Sequence, residues 1–536
     1  MTDTAPPESL RTVSQLLERK AAAYGDRTFF KCGQKELSFA DIEQKTAKIA
    51  NRLHEIGISS GDHVCLYLYN SAEYLLMYLA AMRLGAIVVP IDTRFTGDML
   101  LNILNRVKGD AIFLDKHTHS EYEKIRGQQS AAPYEYYIGT PPQKTPYRSF
   151  DEFRGNDQRF SKGSPISSTD PGSVTFIQQQ QTSQPKGVVL PQFSYINTGW
   201  ESGQNLFNFT EDDCILTSLP LYSIFTFQLG IMGALITGST FVLLKQFDPH
   251  QFWSKIREHD ASVFLYLSRM LSVLYNQQDL EQYEENTVNF AIGHGFGFRN
   301  DENLIKNFEQ RFDITVLEGY GTTQVGTIAT YNRPDQRRIG SVGQVASFAD
   351  VDIVDENDWS LPENETGEIV VRPTRNNTMM LGYHDNHGQA VRDCRNQWIH
   401  TGDIGYKDED GYLFFVANKE NSIYRGQIAG RISTLEIESV INSHGPVREC
   451  AVTGVSMQDD TEAVVAVVVP QENKEVTPPE IYRYCKQRLP YIKIPRYIDV
   501  RKELPRTPTG KIRTEVLNEI SIKEAWDRDQ GYEFSR

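Results

Sequence analysis

The segment that decides the fold runs Val64-Cys65-Leu66-Tyr67-Leu68-Tyr69, passes through Glu73 to Leu84 and Gly85, and closes on Ala86-Ile87-Val88-Val89-Pro90-Ile91. Both apolar runs have strand length and do not alternate, the pattern of parallel strands buried on both faces. The stretch between them has helix length and stops at a glycine. A strand, a crossover helix and a second strand predict a right-handed β-α-β unit, and with it the α/β class.

Upstream, Leu10, Val13, Leu16 and Leu17 share a helix face behind Ser9 as the expected N-cap. A second helix is expected to start at Ser38-Phe-Ala-Asp41, a capping-box spacing, and to end at Gly57. Downstream, the alternation resumes at Ala261 to Leu265, Thr287 to Ile292 and Ile314 to Leu317. Past residue 340 the texture turns β-rich, with Val351 to Val354, Gly367 to Arg372 and Gly411 to Val416. After residue 417 the pattern is α+β: helices at Thr434 to Ser443 and Pro479 to Leu489, strands at Cys450 to Val455 and Ala463 to Val469.

The 536 residues carry 55 Lys+Arg against 70 Asp+Glu, a net charge of -15. That balance repels nucleic-acid phosphates and argues against a general nucleic-acid binder. The six cysteines form no C-x-x-C pair, so packed, reduced thiols are expected. Residues 214–244 contain no Asp, Glu, Lys or Arg, but Pro220, Gly230, Gly233 and Gly238 break them into pieces too short for a membrane span. They read as strand, loop, buried helix and strand. The N-terminus, Met-Thr-Asp-Thr-Ala-Pro-Pro-Glu, lacks a basic-then-apolar leader, which makes cytoplasm the expected location.

Four separated motifs carry the functional signal: Gln184-Pro-Lys186-Gly, Gly319-Tyr-Gly-Thr-Thr-Gln324, Trp398-Ile-His-Thr-Gly-Asp403 and Leu504-Pro-Arg-Thr-Pro-Thr-Gly-Lys511. In order and spacing the chain resembles the adenylate-forming enzymes, which include acyl- and aryl-CoA synthetases, luciferases and peptide-synthetase adenylation domains. Its overall pattern is similar to the crotonobetaine/carnitine-CoA ligase branch. The resemblance implies a large nucleotide- and acyl-binding domain of parallel-type α/β subdomains plus a β-rich subdomain over 1–417, and a small mobile α+β lid over 418–536. It also implies a two-step reaction. A carboxylate attacks the α-phosphate of ATP to give an acyl-adenylate and pyrophosphate, and a thiol or amine then attacks the adenylate.

The resemblance assigns Lys186, Tyr320, Thr323, Gln324 and Asp403 to nucleotide binding, and Lys511 to a bridge between carboxylate and α-phosphate. Asp403 also fits an Asx-type turn. The aromatics Phe225, Phe227, Tyr266 and Phe296, with Met270, Ser223 and Gly295, are expected to line the acyl pocket. His294, in Gly293-His-Gly-Phe-Gly297, is the candidate general base and is equally an ordinary turn histidine.

Several positions depart from the family pattern. The phosphate loop Thr-Ser-Gly-Thr-Thr-Gly is replaced by Gln178, Gln179, Gln180, Gln181, Thr182 and Ser183. Gln324 stands where the family holds Mg²⁺ with glutamate, Ser223 where many members carry histidine, and Asn418 where an arginine meets the ribose. These replacements count against ATP and Mg²⁺ and leave coenzyme A or a phosphopantetheine thioester open as the acyl-bearing group. Three readings follow. In the favoured one, the fold is repurposed for ATP-independent acyl transfer, condensation or hydrolysis. The others are a conventional ATP-dependent acyl-CoA or acyl-carrier ligase, and a non-catalytic homologue. The expected partners are a small acyl substrate with CoA or an acyl carrier protein, with no nucleic acid and no membrane span.

Overall fold

The computed structural model describes residues 4–130, 134–143, 145–153, 165–177, 185–267, 269–277, 286–294, 302–419, 422–424, 431–457, 462–505, 512, 517 and 525–529. Gln178 to Ser183, Gly295, Phe296, Lys511 and the side chain of His294 lie outside the described residues. The chain divides into two compact units, residues 1–351 with 371–399, and residues 352–370 with 400–536.

The first unit is built on two large sheets. In one, five parallel strands run in the order Thr315–Tyr320, Phe290–His294, Val263–Leu267, Cys214–Thr217 and Thr240–Leu243, joined by Thr28–Cys32. Antiparallel strands close both edges. In the other, His63–Tyr67 lies between Ile87–Pro90 and Ala111–Leu114, all parallel, and Lys186–Pro191 pairs antiparallel with Pro171–Ile177. The deciding segment therefore forms the expected β-α-β unit. Its helix, Ala72–Leu84, is capped by the Ser71 hydroxyl accepting from Tyr74 N at 3.2 Å and stopped by Gly85 at φ +82. All of its residues are buried, because sheet and helices cover it on every side. Its charged Glu73 and Arg83 are therefore paired, with Lys35 and Glu43 respectively.

The first helix, Val13–Tyr24, is capped by Thr12 rather than Ser9: Thr12 and Gln15 form a reciprocal capping box, which satisfies two backbone donors where Ser9 lies too far upstream to reach either. The second, Phe39–Glu55, uses the Ser38/Asp41 box as expected. Residues 214–244 form a strand, a turn, the π-helical segment Phe225–Ile231, the helix Met232–Thr237 and a second strand. Among the described residues no helix is long and apolar enough to cross a membrane. All six cysteines are free thiols, five of them buried.

The second unit contains the sheet Ala349–Val354, Gly367–Pro373, Ile399–Lys407 and Leu413–Asn418, whose strand ends cross the unit division. It also holds the α+β segment, in which Val447–Ser456, Glu462–Pro470 and Tyr497–Val500 carry the helices Thr434–Asn442 and Pro478–Lys486. Ile437, Ile441, Val452, Val464, Ile481 and Ile498 form its core.

Candidate active site

Parallel strands bring their C-terminal ends to one edge, where open α/β sheets bind ligands. Here Leu267, His294 and Gly319 are register neighbours, and Tyr320 follows at the end of its strand. Tyr320 is 1% exposed. After it the chain turns sharply: Gly321 admits no side chain, since a Cβ would collide with the Thr327 carbonyl. The turn is closed by Thr327 N donating to Thr322 O at 3.0 Å and Ala329 N to Tyr320 O at 2.8 Å. Thr323 and Gln324 sit on a single 3₁₀ turn, Thr323–Val325, and Met380 N donates to Gln324 O at 2.8 Å.

Gln324 does not stand alone. Its amide donates to the Tyr383 hydroxyl at 3.3 Å, and that hydroxyl donates to Asp393 Oδ2 at 2.8 Å. Lys186 Nζ lies 3.4 Å from the same oxygen and 5.3 Å from the centre of the Tyr383 ring. Gln389 Nε2 donates to Asp393 Oδ1 at 2.6 Å. Burial, and next the Asp393 charge, push the Tyr383 hydroxyl far up, so it remains a donor at neutral pH. The local chain path explains the convergence. Gly382–Tyr383 pairs with Val189 and Val188 on the Lys186 strand, and the helix His387–Asp393 follows at once. Arg106 donates to the carbonyls of Pro185 at 2.6 Å and His384 at 3.0 Å, pinning the chain on both sides.

The sequence motifs thus bring Lys186 and Gln324 together, but Tyr383, Asp393 and Arg106 were not singled out from sequence. The available signals were the Leu381-Gly-Tyr-His384 run and an aspartate five residues ahead of Trp398. The acyl-pocket candidates are more dispersed. Phe227 stacks on Tyr78 with 3.8 Å between ring centroids and meets Tyr195 edge-on, contacts that fill its faces within the core. Phe225 is 4% exposed on the same π-helical segment, just after the Pro220–Ser223 turn, and Met270 is 7% exposed. Tyr266 lies fully buried with its ring against Gly293, where any Cβ would collide, and its hydroxyl has no hydrogen-bond partner among the described residues.

Beneath Tyr320, Glu318 pairs in register with Gly293 and faces a small cavity lined by Asn332, Arg337, Arg338 and Ser341. Burial pushes its carboxyl up to about 7. In the second unit, Asp403 is 3% exposed on the strand Ile399–Lys407, where it pairs across with Asn418; Gly402 before it has φ +74 and Asp403 N donates to the Thr401 hydroxyl at 3.1 Å, a local turn contact at the strand's Thr-Gly-Asp.

The oxygen donors at the Lys186 edge suit a nucleotide carried with Mg²⁺. Such an ion takes one or two carboxylates and otherwise phosphates and water; Asp393 is a carboxylate of that kind, and the Gln324 amide oxygen is a neutral and weaker ligand. Among the described residues no three acids, histidines or cysteines cluster to hold a metal unaided.

The AMP-binding enzyme family model matches residues 17–384, and the AMP-binding enzyme C-terminal domain matches 436–511. The crotonobetaine/carnitine-CoA ligase of Salmonella heidelberg (strain SL476) is 28% identical over 514 residues, covering 94% of this chain and 98% of that protein. The crystal structure of the anthranilate CoA ligase AuaEII with anthranoyl-AMP superposes with a TM-score of 0.81 at 23% identity, over 96% of this chain and 98% of that one. ATP-bound MatB from Rhodopseudomonas palustris superposes with a TM-score of 0.78 at 21% identity, over 95% and 98%. With a family match across most of its length and the adenylate-forming fold in both units, this chain belongs to the AMP-binding enzyme family of the adenylate-forming superfamily.

Proposed function

We propose that the chain is an ATP-dependent acyl- or aryl-CoA ligase. A substrate carboxylate attacks the α-phosphate of ATP, releasing pyrophosphate, and the CoA thiolate then displaces AMP from the acyl-adenylate. The observation that carries this reading is the meeting of Lys186 and Gln324, remote in sequence, through Tyr383 and Asp393. A cation, a carboxylate and an amide held within hydrogen-bonding reach form a site for a phosphate chain and its metal. The sequence-based preference for an ATP-independent enzyme rested on the glutamine-filled phosphate loop and the changes at 223, 324 and 418 together; the Asp393 carboxylate bears on the lost glutamate at 324 alone.

In this reading Tyr320 packs against the adenine, Thr323 contacts phosphate and Asp403 binds ribose. Lys511 stabilises the charge developing between carboxylate and α-phosphate. Ser223, Phe225, Phe227, Tyr266, Met270, Gly295 and Phe296 face the acyl group, and His294 borders it. The division at 417/418 is the hinge of a moving C-terminal lid; it lies between the two family matches. The substrates named for the relatives, crotonobetaine or carnitine and anthranilate, favour a small carboxylic acid over a long acyl chain.

Pyrophosphate exchange with ATP, Mg²⁺ and a panel of small carboxylates tests the proposal, with hydroxamate trapping of the adenylate. Carboxylate-dependent exchange is expected. No exchange, together with turnover of an acyl thioester lacking ATP, would overturn it in favour of acyl transfer.

A further inference from the structure

Position 324 carries a neutral amide at an edge where Lys186 brings a positive charge into a largely buried setting. The charge is nevertheless balanced, from a different element. We propose that Asp393 supplies the carboxylate of the phosphate edge, with Tyr383 as the hinge between it and Gln324, so that Asp393 is the positioning residue for Lys186.

Four observations converge on this residue. Lys186 is only 11% exposed and Asp393 20%, so the pair is shielded from the screening that makes surface pairs weak. Both carboxylate oxygens are engaged: Oδ2 by Tyr383 and Lys186, Oδ1 by Gln389. Asp393 is the last residue of the helix His387–Asp393, and Gln389, one turn earlier, braces it. A carboxylate at a helix C-terminus faces the unfavourable end of the macrodipole, so this placement is stabilised by partners outside the helix. Tyr383 sets the direction of the chain: it accepts from the Gln324 amide and donates to Asp393. A glutamate at 324 could not donate to Tyr383 and would instead compete with Asp393 for its proton. The two sites are therefore alternative seats for one negative charge, about one tyrosine apart.

Without Asp393, Lys186 would be a shielded cation with no carboxylate beside it among the described residues and no fixed position over the Tyr383 ring. With it, the ammonium is held in place until a nucleotide phosphate takes over the contact. The consequence for nucleotide binding rests on the ATP-dependent reading above; the charge pairing itself does not.

The test uses the full-length protein as wild type, Asp393→Asn, Asp393→Glu, Gln324→Glu and the Asp393→Asn/Gln324→Glu double variant. Lys186 acylation by an amine-reactive ester, without nucleotide, is read by peptide mass spectrometry, and MgATP affinity by calorimetry. Asp393→Asn should speed Lys186 labelling and weaken MgATP binding, each by about tenfold, the scale of one charge-assisted contact. Asp393→Glu should largely preserve both, and adding Gln324→Glu to Asp393→Asn should return both toward wild type. A purely structural role would lower the melting temperature of Asp393→Asn with no rescue by Gln324→Glu, and that result overturns the proposal. So do labelling and affinity unchanged in Asp393→Asn. Should wild type bind no MgATP, the ligase reading falls, and labelling alone decides the inference: rescue of Lys186 protection by Gln324→Glu supports it, and absence of rescue overturns it.

Discussion

Two carboxylates in the first unit meet burial in opposite ways. Asp393 is surrounded by a lysine, a tyrosine hydroxyl and a glutamine amide, each presenting a hydrogen. Glu318 lies 8% exposed at the end of a parallel strand, and burial alone pushes it up to about 7. The arginines lining its cavity do not reverse that push; Arg337 is committed to Glu309. Its charge in turn adds to the burial that raises the hydroxyls of Tyr266 and Tyr331. A buried acid ringed by donors is held in one place, whereas burial by itself raises a carboxyl until it takes up a proton. The first kind suits the binding of a phosphate chain, and the second makes the molecule sensitive to pH.

The largest expected effect comes from breaking the compensated region at its cation. Lys186→Ala removes a positive charge from the phosphate edge and leaves Asp393 shielded with no cation beside it among the described residues. Pyrophosphate exchange should fall by about 10²–10³, the usual loss when one charged donor to a reacting group is removed. Exchange within a few-fold of wild type would exclude Lys186 from the site. The uncompensated region is broken by Glu318→Gln. The unfolded chain releases this proton near the ordinary value of 4.5, and the folded chain keeps it to about 7. In that window folding takes up a proton, so the stability tied to Glu318 is complete below 4.5 and is lost as pH rises through 7. Denaturant titrations should show the glutamine variant more stable than wild type at pH 8 by up to ~3 kcal/mol, with the gap closing at pH 4. A constant difference across pH would refute the assignment.

The sequence made the class of this fold legible because its signals are repeated and local. Val64 to Ile91 has unbroken apolar strands, and Ser38 with Asp41 marks a helix start that packing has no reason to override. Ser9 misled because capping depends on which residue the first turn reaches, and Thr12 with Gln15 reached it. Lys186 and Gln324 were legible because their motifs are contiguous. Asp393 was not, since its importance arises only when the strand Gly382–Tyr383 pairs beside Lys186, a contact nearly two hundred residues long in sequence. Glu318 did leave a trace, an acid within Val316-Leu317-Glu318-Gly319-Tyr320, but the apolar alternation around it gives no sign of a missing partner.

The subtlest separation of the two regions is Tyr383→Phe, which keeps the ring beneath Lys186 and deletes only the hydroxyl joining Gln324 to Asp393. Gln324 is 4% exposed, so its amide would lose a partner where water does not readily replace it. A buried polar group left unmatched costs about 1–3 kcal/mol, and Asp393 keeps Lys186 and Gln389, so the expected loss of stability lies near the low end, about 1 kcal/mol. The kinetic signature should be a rise in KM for ATP with kcat little changed, because the hydroxyl orients groups that hold the nucleotide in ground and transition states alike. The pH dependence attributed to Glu318 should be untouched. A Tyr383→Phe variant whose stability curve shifted along the pH axis would mean that Glu318 is coupled to the Lys186 edge, and the contrast between a carboxylate held by donors and one raised by burial would fail.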